Sequence, residues 1–341
     1  MNDIDVRKLA EKLSKQFKGS IRVGSDIPPV EKLSTGVDII DIKTGGGLPF
    51  GRTIEIFGKE SSGKSWLSYQ IIRQAQQRGI IPALVDAENA FDPEWVAKMG
   101  VDLDKLIYLS PENAEEGIDI ITKLLNENVT SLIVLDSIDA LAPDVEINSS
   151  AANAQMATKA KLINKGLRVW TSRINVSKLD PKPMLIFINQ LRDAMVLYGN
   201  PTTTPGGRGL KFYASIRLEL NRGKRKEDSA GGKYQEVNFG VEKNKVGIPF
   251  KRGSYRLYVE DGLKPAGTYD DKEEIIAEAQ VKGIINEGSW INYKGEQYHG
   301  KTKLTEYFIA NPDKYAEFLE EFYGQKRQQS TGEETCESSI G

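Results

Sequence analysis

Over residues 2–17 the apolar positions Ile4, Val6, Leu9, Ala10, Leu13 and Phe17 fall on or near one face of a helix, with charged and amide side chains elsewhere. That period predicts an amphipathic helix. The stretch 19–29, with Pro28 and Pro29, punctuates it, so the helix is an arm that packs either on a neighbouring subunit or back on its own domain. From residue 34 to about 259, short apolar runs alternate with amphipathic segments. Strands are predicted at 53–57, 81–86, 106–109, 131–135 and 184–188, and helices at 64–78, 93–99, 113–127 and 155–175. Such alternation gives an α/β fold with a mostly parallel central sheet flanked by helices. Past a Gly-, Thr- and Pro-rich segment at 199–209, runs at 210–220, 234–242 and 255–260 follow without helices, an antiparallel extension of the sheet. Residues 262–268 mark a boundary. The expected organisation is an arm and linker at 1–33, a core at 34–265, a small α+β lobe at 266–324 and a disordered tail at 325–341 rich in Gln, Ser, Glu and Gly.

Composition narrows the class. With 341 residues, 39% hydrophobic and 28% charged, the chain can bury a full core, and its net charge of −2 leaves nucleic-acid binding to the local placement of basic residues. Cys336, the single cysteine, can form no internal disulfide, which fits a reducing compartment. No stretch reaches the roughly 18 apolar residues of a membrane span, and the first residues lack the order of a signal peptide. A cytoplasmic protein with no membrane partner is expected.

The strongest chemical signal is Gly58, Lys59, Glu60, Ser61, Ser62, Gly63, Lys64 and Ser65, a complete G-x-x-x-x-G-K-[ST] phosphate loop between a predicted strand and helix. Its glycines let backbone N–H groups close on phosphate oxygens, Lys64 supplies charge at the β/γ-phosphates, and the Ser65 hydroxyl suits Mg²⁺. ATP or another nucleoside triphosphate with Mg²⁺ is implied. Asp136 ends an apolar strand, as a carboxylate on the magnesium side does. Glu88 follows another strand, where it is either a general base for the attacking water or a solvated loop acid. Gln190 ends a third strand with an amide able to bond the γ-phosphate.

Taken together the chain resembles the bacterial RecA-type recombinases. The resemblance rests on Ser34-Thr35-Gly36, Gly46 to Arg52, the phosphate loop, Asp86 to Pro93, Leu135-Asp136-Ser137, Phe187 to Gln190, Gly206-Gly207, Leu210 to Arg217 and Lys243 to Val246. It implies a RecA-like ATPase core with Glu88 as general base, Asp136 holding Mg²⁺ through water, and Gln190 coupling γ-phosphate to a DNA loop. It further implies Trp66 and Asp92 in the nucleotide site, Trp95 stacking on adenine where the family usually has tyrosine, and Lys243 and Lys245 reaching the neighbouring subunit's nucleotide. Lys59 and Asn89 depart from the family's usual residues.

The predicted helix 155–175 carries Lys159, Lys161, Lys165, Arg168 and Arg173 and no acid, either a phosphate track or a solvated face. Residues 191–217 hold Arg192, Arg208, Lys211 and Arg217 against Asp193, a surplus of three positive charges. The resemblance places DNA loops at 144–155 and 191–209 and assigns Met156, Lys161, Asn164, Arg168, Arg192, Gly206, Gly207 and Arg208 to single-stranded DNA, with Met195, Val196 or Leu197 as a wedge between bases. Asp193, Pro205 and residues 149–154 depart from the family pattern there. The resemblance also assigns Lys211, Phe212 and Arg217 to a subunit interface, makes the N-terminal helix a filament contact, and makes the lobe around Trp290, Tyr293, Lys294 and Gly295 a duplex-DNA surface. Trp290 itself reads as core, and His299 as incidental. The implied activity is a DNA-dependent ATPase that forms filaments on single-stranded DNA and catalyses pairing and strand exchange in recombination and repair. Implied partners are single-stranded and double-stranded DNA, further copies of the chain, SOS-type repressors whose self-cleavage it would activate, and loading proteins. A ring-shaped helicase of related core, and a filament scaffold acting mainly in repressor cleavage, are the alternatives.

Overall fold

A computed structural model describes residues 5–17, 21–148, 156–193, 202–203 and 207–332, with backbone alone for 148, 156, 157, 192, 193, 202, 203, 207, 208 and 325–332. Among these residues nine strands form the main sheet: β1 (Thr53–Gly58), β2 (Ala83–Asp86), β3 (Ile107–Leu109), β4 (Leu132–Asp136), β5 (Met184–Gln190), β6 (Ile216–Glu227), β7 (Lys233–Asn244), β8 (Arg252–Tyr258) and β9 (Tyr269–Asp270). Their spatial order is β9-β8-β7-β6-β1-β5-β4-β2-β3. Pairing is parallel from β6 through β1 to β3 and antiparallel from β6 to β9. The predicted α/β class and its antiparallel extension are both present.

Alternation along the strands supplies two cores. Ile54, Ile56, Leu132, Val134, Ile186 and Ile188 face one side, and Ile133, Leu135, Leu185 and Phe187 face the other. Helix α1 is Val6–Gln16, α2 is Asp38–Thr44, α3 is Lys64–Gln77, α4 is Pro93–Lys98, α5 is Ala114–Asn126, α6 is Asp144–Asn148, α7 is Met156–Val176 and α8 is Gly207–Tyr213. α3 lies on the first side; α5 and α7 lie on the second, where Ile163, Leu167, Trp170 and Ile174 repeat at helical spacing.

Several boundaries differ from the sequence reading. The run 210–220 is not one strand, because α8 occupies it to Tyr213 and β6 begins at Ile216. Leu210 is buried in the second core with Tyr213 packed on it while Phe212 is exposed, a helical spacing that a short apolar run hides. The strand expected from residue 81 starts at Ala83, since Ile81 is exposed ahead of Pro82. None of the residues of α1 is buried, so its apolar face is not folded onto its own domain.

The C-terminal lobe contains α9 (Lys272–Val281), a hairpin of Trp290–Tyr293 with Glu296–His299, α10 (Gly300–Ala310) and α11 (Pro312–Gly332). Ile275, Ile291, Phe308, Phe318 and Phe322 join the same buried cluster as Ile54 and Tyr255, and β9 pairs with β8. The sheet therefore crosses the expected 265/266 boundary. Trp290 is exposed while Ile291 and Tyr293 are buried, the alternation of a hairpin strand. It lies against His299 at 4.9 Å between ring centroids, so the core role expected of Trp290 is not found. The backbone of α11 runs to Gly332, past Gln325, through residues that are mostly good helix formers. Residues 333–341, with Cys336, lie outside the described residues.

Candidate active site

The carboxyl ends of β1, β2, β4 and β5 bring the predicted nucleotide residues together, where ligands bind in open α/β sheets. β1 runs into the phosphate loop and α3 leaves it at Lys64. Gly63 has φ 90°, open to glycine at no steric cost. A Cβ on Gly58 would collide with the Leu220 carbonyl of β6, which explains the glycine at the strand end.

Lys64 Nζ donates to the Lys59 carbonyl at 2.8 Å, folding the side chain back over the loop. Burial lowers the Lys64 pKa, while Asp136, Glu88 and Glu60 hold it up. Ser65 Oγ donates to Asp136 Oδ2 at 2.7 Å. Burial pushes the Asp136 carboxyl up to about 6 against that hydrogen bond, and the charges of Glu88 and Asp86 add to the rise. Ser62 Oγ is buried without a hydrogen-bond partner. A hydroxyl bonded to a carboxylate, among further acids, is an oxygen donor set that suits Mg²⁺, which commonly takes one or two carboxylates plus phosphate oxygens. The residues present fit the cation and its phosphates.

Glu88 is the meeting point of the site. Its Oε1 accepts Ser137 Oγ at 2.5 Å and Gln190 Nε2 at 3.0 Å. Asp86 sits opposite Asp136 in the β2–β4 register and holds the Glu88 turn by accepting the N–H of Glu88 and of Phe91, each at 3.1 Å. Tyr108 OH also donates to Asp86 Oδ2 at 3.1 Å. Sequence reasoning missed Ser137 and Tyr108. Ser137 was visible as the neighbour of Asp136, whereas Tyr108 arrives from a separate strand.

Two predicted nucleotide residues have partners within the chain, and a third is exposed. Trp66 is buried, stacks on Tyr255 with 5.7 Å between centroids and donates Nε1 to the Gly267 carbonyl at 2.9 Å. Asp92 caps α4 by accepting from the N–H of Glu94 and Trp95. Trp95 is 44% exposed on α4, available for stacking, with Gly267 beside its ring.

Residues 5–264 match the RecA N-terminal domain family. The chain belongs to the RecA family. Protein RecA of Streptomyces venezuelae is 39% identical over 308 residues, covering 88% of this chain and 79% of that protein. Protein RecA of Leptospira biflexa is 39% identical over 314 residues (88% and 77%), and that of Leifsonia xyli 39% over 311 (89% and 85%). RecA proteins act in recombination and DNA repair, so this chain is a member of a recombination and repair family. Among the described residues no helix is long and apolar enough to cross a membrane.

The described residues expected at DNA and at the subunit interface of this RecA-family chain are found on α7, on α8 and on the strands beside them. Lys161, Lys165 and Arg168 are exposed on one face of α7, and Arg173 is exposed further along. Lys159 instead donates to the Asp139 carbonyl at 2.6 Å. Asn164 sits between α7 and α8, its Oδ1 buried without a hydrogen-bond partner and so close to Gly209 that a Cβ there would collide. The first predicted loop begins in helix α6, and 149–155 lie outside the described residues. In the second, Arg192–Asp193 pairs with Thr202–Thr203, and Gly207 and Arg208 open α8. Met195, Val196, Leu197, Pro205 and Gly206 lie outside the described residues, and for Met156 the backbone is helical.

Phe212 is 70% exposed and borders a cleft lined by Arg52, Thr171, Asn175 and Lys245. Lys211 opens its carbonyl to Lys243 Nζ at 2.6 Å, and the Phe212 carbonyl accepts Lys243 at 3.0 Å and Lys245 at 3.1 Å. Two ammonium groups thus close the carboxyl end of α8, where cations favour the helix dipole. Arg217 is held inside its own chain by Glu55.

Proposed function

We propose that the chain is a DNA-dependent ATPase that assembles into a filament on single-stranded DNA and catalyses homologous pairing and strand exchange. The observation that carries this reading is the convergence on Glu88 of Ser137 and Gln190, beside the Lys64–Ser65–Asp136 group. In a phosphate-loop site the loop N–H groups and Lys64 hold the β/γ-phosphates, and Mg²⁺ at Ser65 and, through water, Asp136 would neutralise charge on them. Glu88, oriented by Ser137, accepts the proton of the water that attacks the γ-phosphorus. Gln190 shares that carboxylate and sits where β5 leads into the 191–209 segment, so its amide can exchange Glu88 for a γ-phosphate oxygen and pass the difference to the DNA loop.

The second half of the site comes from assembly. Lys243 and Lys245 of an adjacent subunit supply cations to the transferring phosphoryl group in the manner of an arginine finger in trans. The uncovered face of α1 and the exposed Phe212 are the contacts that bring that subunit in. The exposed bases of α7 track single-stranded DNA phosphates, and the lobe with Trp290 and Lys294 receives duplex DNA. ATP is the substrate and Mg²⁺ the cofactor. Further copies of the chain, SOS-type repressors and loading proteins are its protein partners, in the cytoplasm.

Strand exchange between circular single-stranded and linear duplex DNA tests this function. Joint molecules that require ATP are expected. ATP hydrolysis with no joint molecules but with repressor self-cleavage would favour the scaffold reading, and closed hexamers by electron microscopy would favour a helicase.

A further inference from the structure

Glu55 is a carboxylate in the middle of the apolar strand that feeds the phosphate loop, and it is fully buried. A buried charge is costly unless paired and hydrogen-bonded. Its Oε2 accepts Arg217 Nε at 2.5 Å, and its Oε1 accepts Asn189 Nδ2 at 3.0 Å. The guanidinium of Arg217 also lies 4.4 Å from the centre of the Phe57 ring, a contact that attracts a cation.

Strand register turns these pairs into a row. Glu55 of β1 stands opposite Arg217 of β6, and Arg217 opposite Lys243 of β7. Asn189, on β5 opposite Phe57, immediately precedes Gln190. Alternation puts Glu55, Asn189 and Arg217 on the α7–α8 side, because their neighbours Ile54, Ile188 and Ile216 belong to the other core, and a register shift next to Arg217 brings Lys243 to that side, where it bonds α8. One end of the row adjoins the Gln190 contact with Glu88, and the other is the Lys243 contact with the end of α8. Lys243 feels the row: burial, Lys245 and Arg217 lower its pKa, and Glu55 opposes them.

We propose that Glu55 is a positioning residue that couples the Gln190 end of β5 to the Lys243–α8 end of the sheet. Its carboxylate holds Asn189 on one side and Arg217 on the other. With that carboxylate neutralised, Arg217 loses its counter-ion and stands as an uncompensated cation beside Lys243, which disturbs the aim of the lysine and the seat of α8. The proposal rests on the ATPase reading above, since the coupling acts on DNA-stimulated turnover.

The test uses the full chain as Glu55→Gln, Arg217→Gln and the double variant, with ATP binding, ATPase kinetics with and without single-stranded DNA, and thermal melting. Glu55→Gln is expected to keep KM for ATP within about threefold while DNA-stimulated kcat falls about tenfold or more. The double variant, which leaves no lone buried charge, is expected to regain melting temperature but not DNA stimulation. Wild-type DNA stimulation in Glu55→Gln, or recovery of both stability and stimulation in the double variant, would reduce the row to a structural ion pair and overturn the proposal. A wild-type chain whose turnover ignores DNA would overturn the ATPase reading and the coupling together.

Discussion

Two regions of the molecule differ in how far their side chains are satisfied. At the carboxyl ends of the parallel strands, Lys64 is held by the Lys59 carbonyl, Ser65 by Asp136, and Ser137 and Gln190 by Glu88, all within a single chain. On α1 and at the end of α8, by contrast, Val6, Leu9 and Phe212 are large apolar side chains exposed at 59%, 46% and 70%. Isolated apolar exposure is ordinary, but an amphipathic helix with no buried residue has found no core to cover it. The first region is organised by folding. The second is organised by association, and the lysine pair at 243 and 245 belongs to both because it closes α8 while standing next to Phe212.

The largest effect that would break this comparison is at Glu88. Glu88→Gln is expected to lower turnover by about 10³-fold, the scale of a lost general base, while ATP-dependent DNA binding persists. Normal hydrolysis in that variant would remove Glu88 from the chemistry. Phe212→Ala should move the other region alone. Its monomer stability should change by less than about 0.5 kcal/mol, as for an exposed side chain, while sedimentation shows assembly weakened by about 10- to 100-fold. Assembly unchanged by that substitution would take Phe212 out of the contact.

A smaller effect concerns the joint between core and lobe, which is closed like the nucleotide end. Asp271 is fully buried there and accepts the Ile39 N–H at 2.9 Å. Burial, with Asp38 and Asp270 nearby and Lys272 opposing, pushes its pKa up to about 7. A carboxyl raised on folding binds its proton more tightly in the folded chain, so its contribution is present at low pH and lost as pH rises from about 4 through about 7. Asp271→Asn is expected to flatten the fall in stability between pH 5 and 8 by on the order of 1–2 kcal/mol, read from urea melts at each pH. An unchanged pH slope would contradict the assignment.

What the sequence disclosed follows the same division. The phosphate loop, Asp136, Glu88 and Gln190 were legible because each closes a strand whose apolar run is itself a local signal. The side-chain partners of Trp66 and Asp92 were not read from the sequence: Trp66 bonds Gly267, 201 residues away, and Asp92 caps α4. Glu55 stood in plain view as the one charge in an apolar strand, yet its meaning needs Arg217, 162 residues on. Trp290 was misplaced because a hairpin strand buries alternate residues whatever their size, and Ile291 and Tyr293 took the inner positions. The extent of α8 escaped because a seven-residue helix carries too few turns to separate helix from strand.

The central claim is that each chain holds one half of an ATPase site and receives the other half from its neighbour. Mixing two inactive proteins tests it directly: Lys64→Ala, with an intact lysine pair, and Lys243→Ala/Lys245→Ala, with an intact phosphate loop. Each alone should hydrolyse almost no ATP on single-stranded DNA, and an equal mixture should recover about a quarter of wild-type turnover, the share of junctions pairing an intact loop with intact lysines. A mixture that stays inactive, or a double lysine variant that hydrolyses at the wild-type rate by itself, would contradict the shared site.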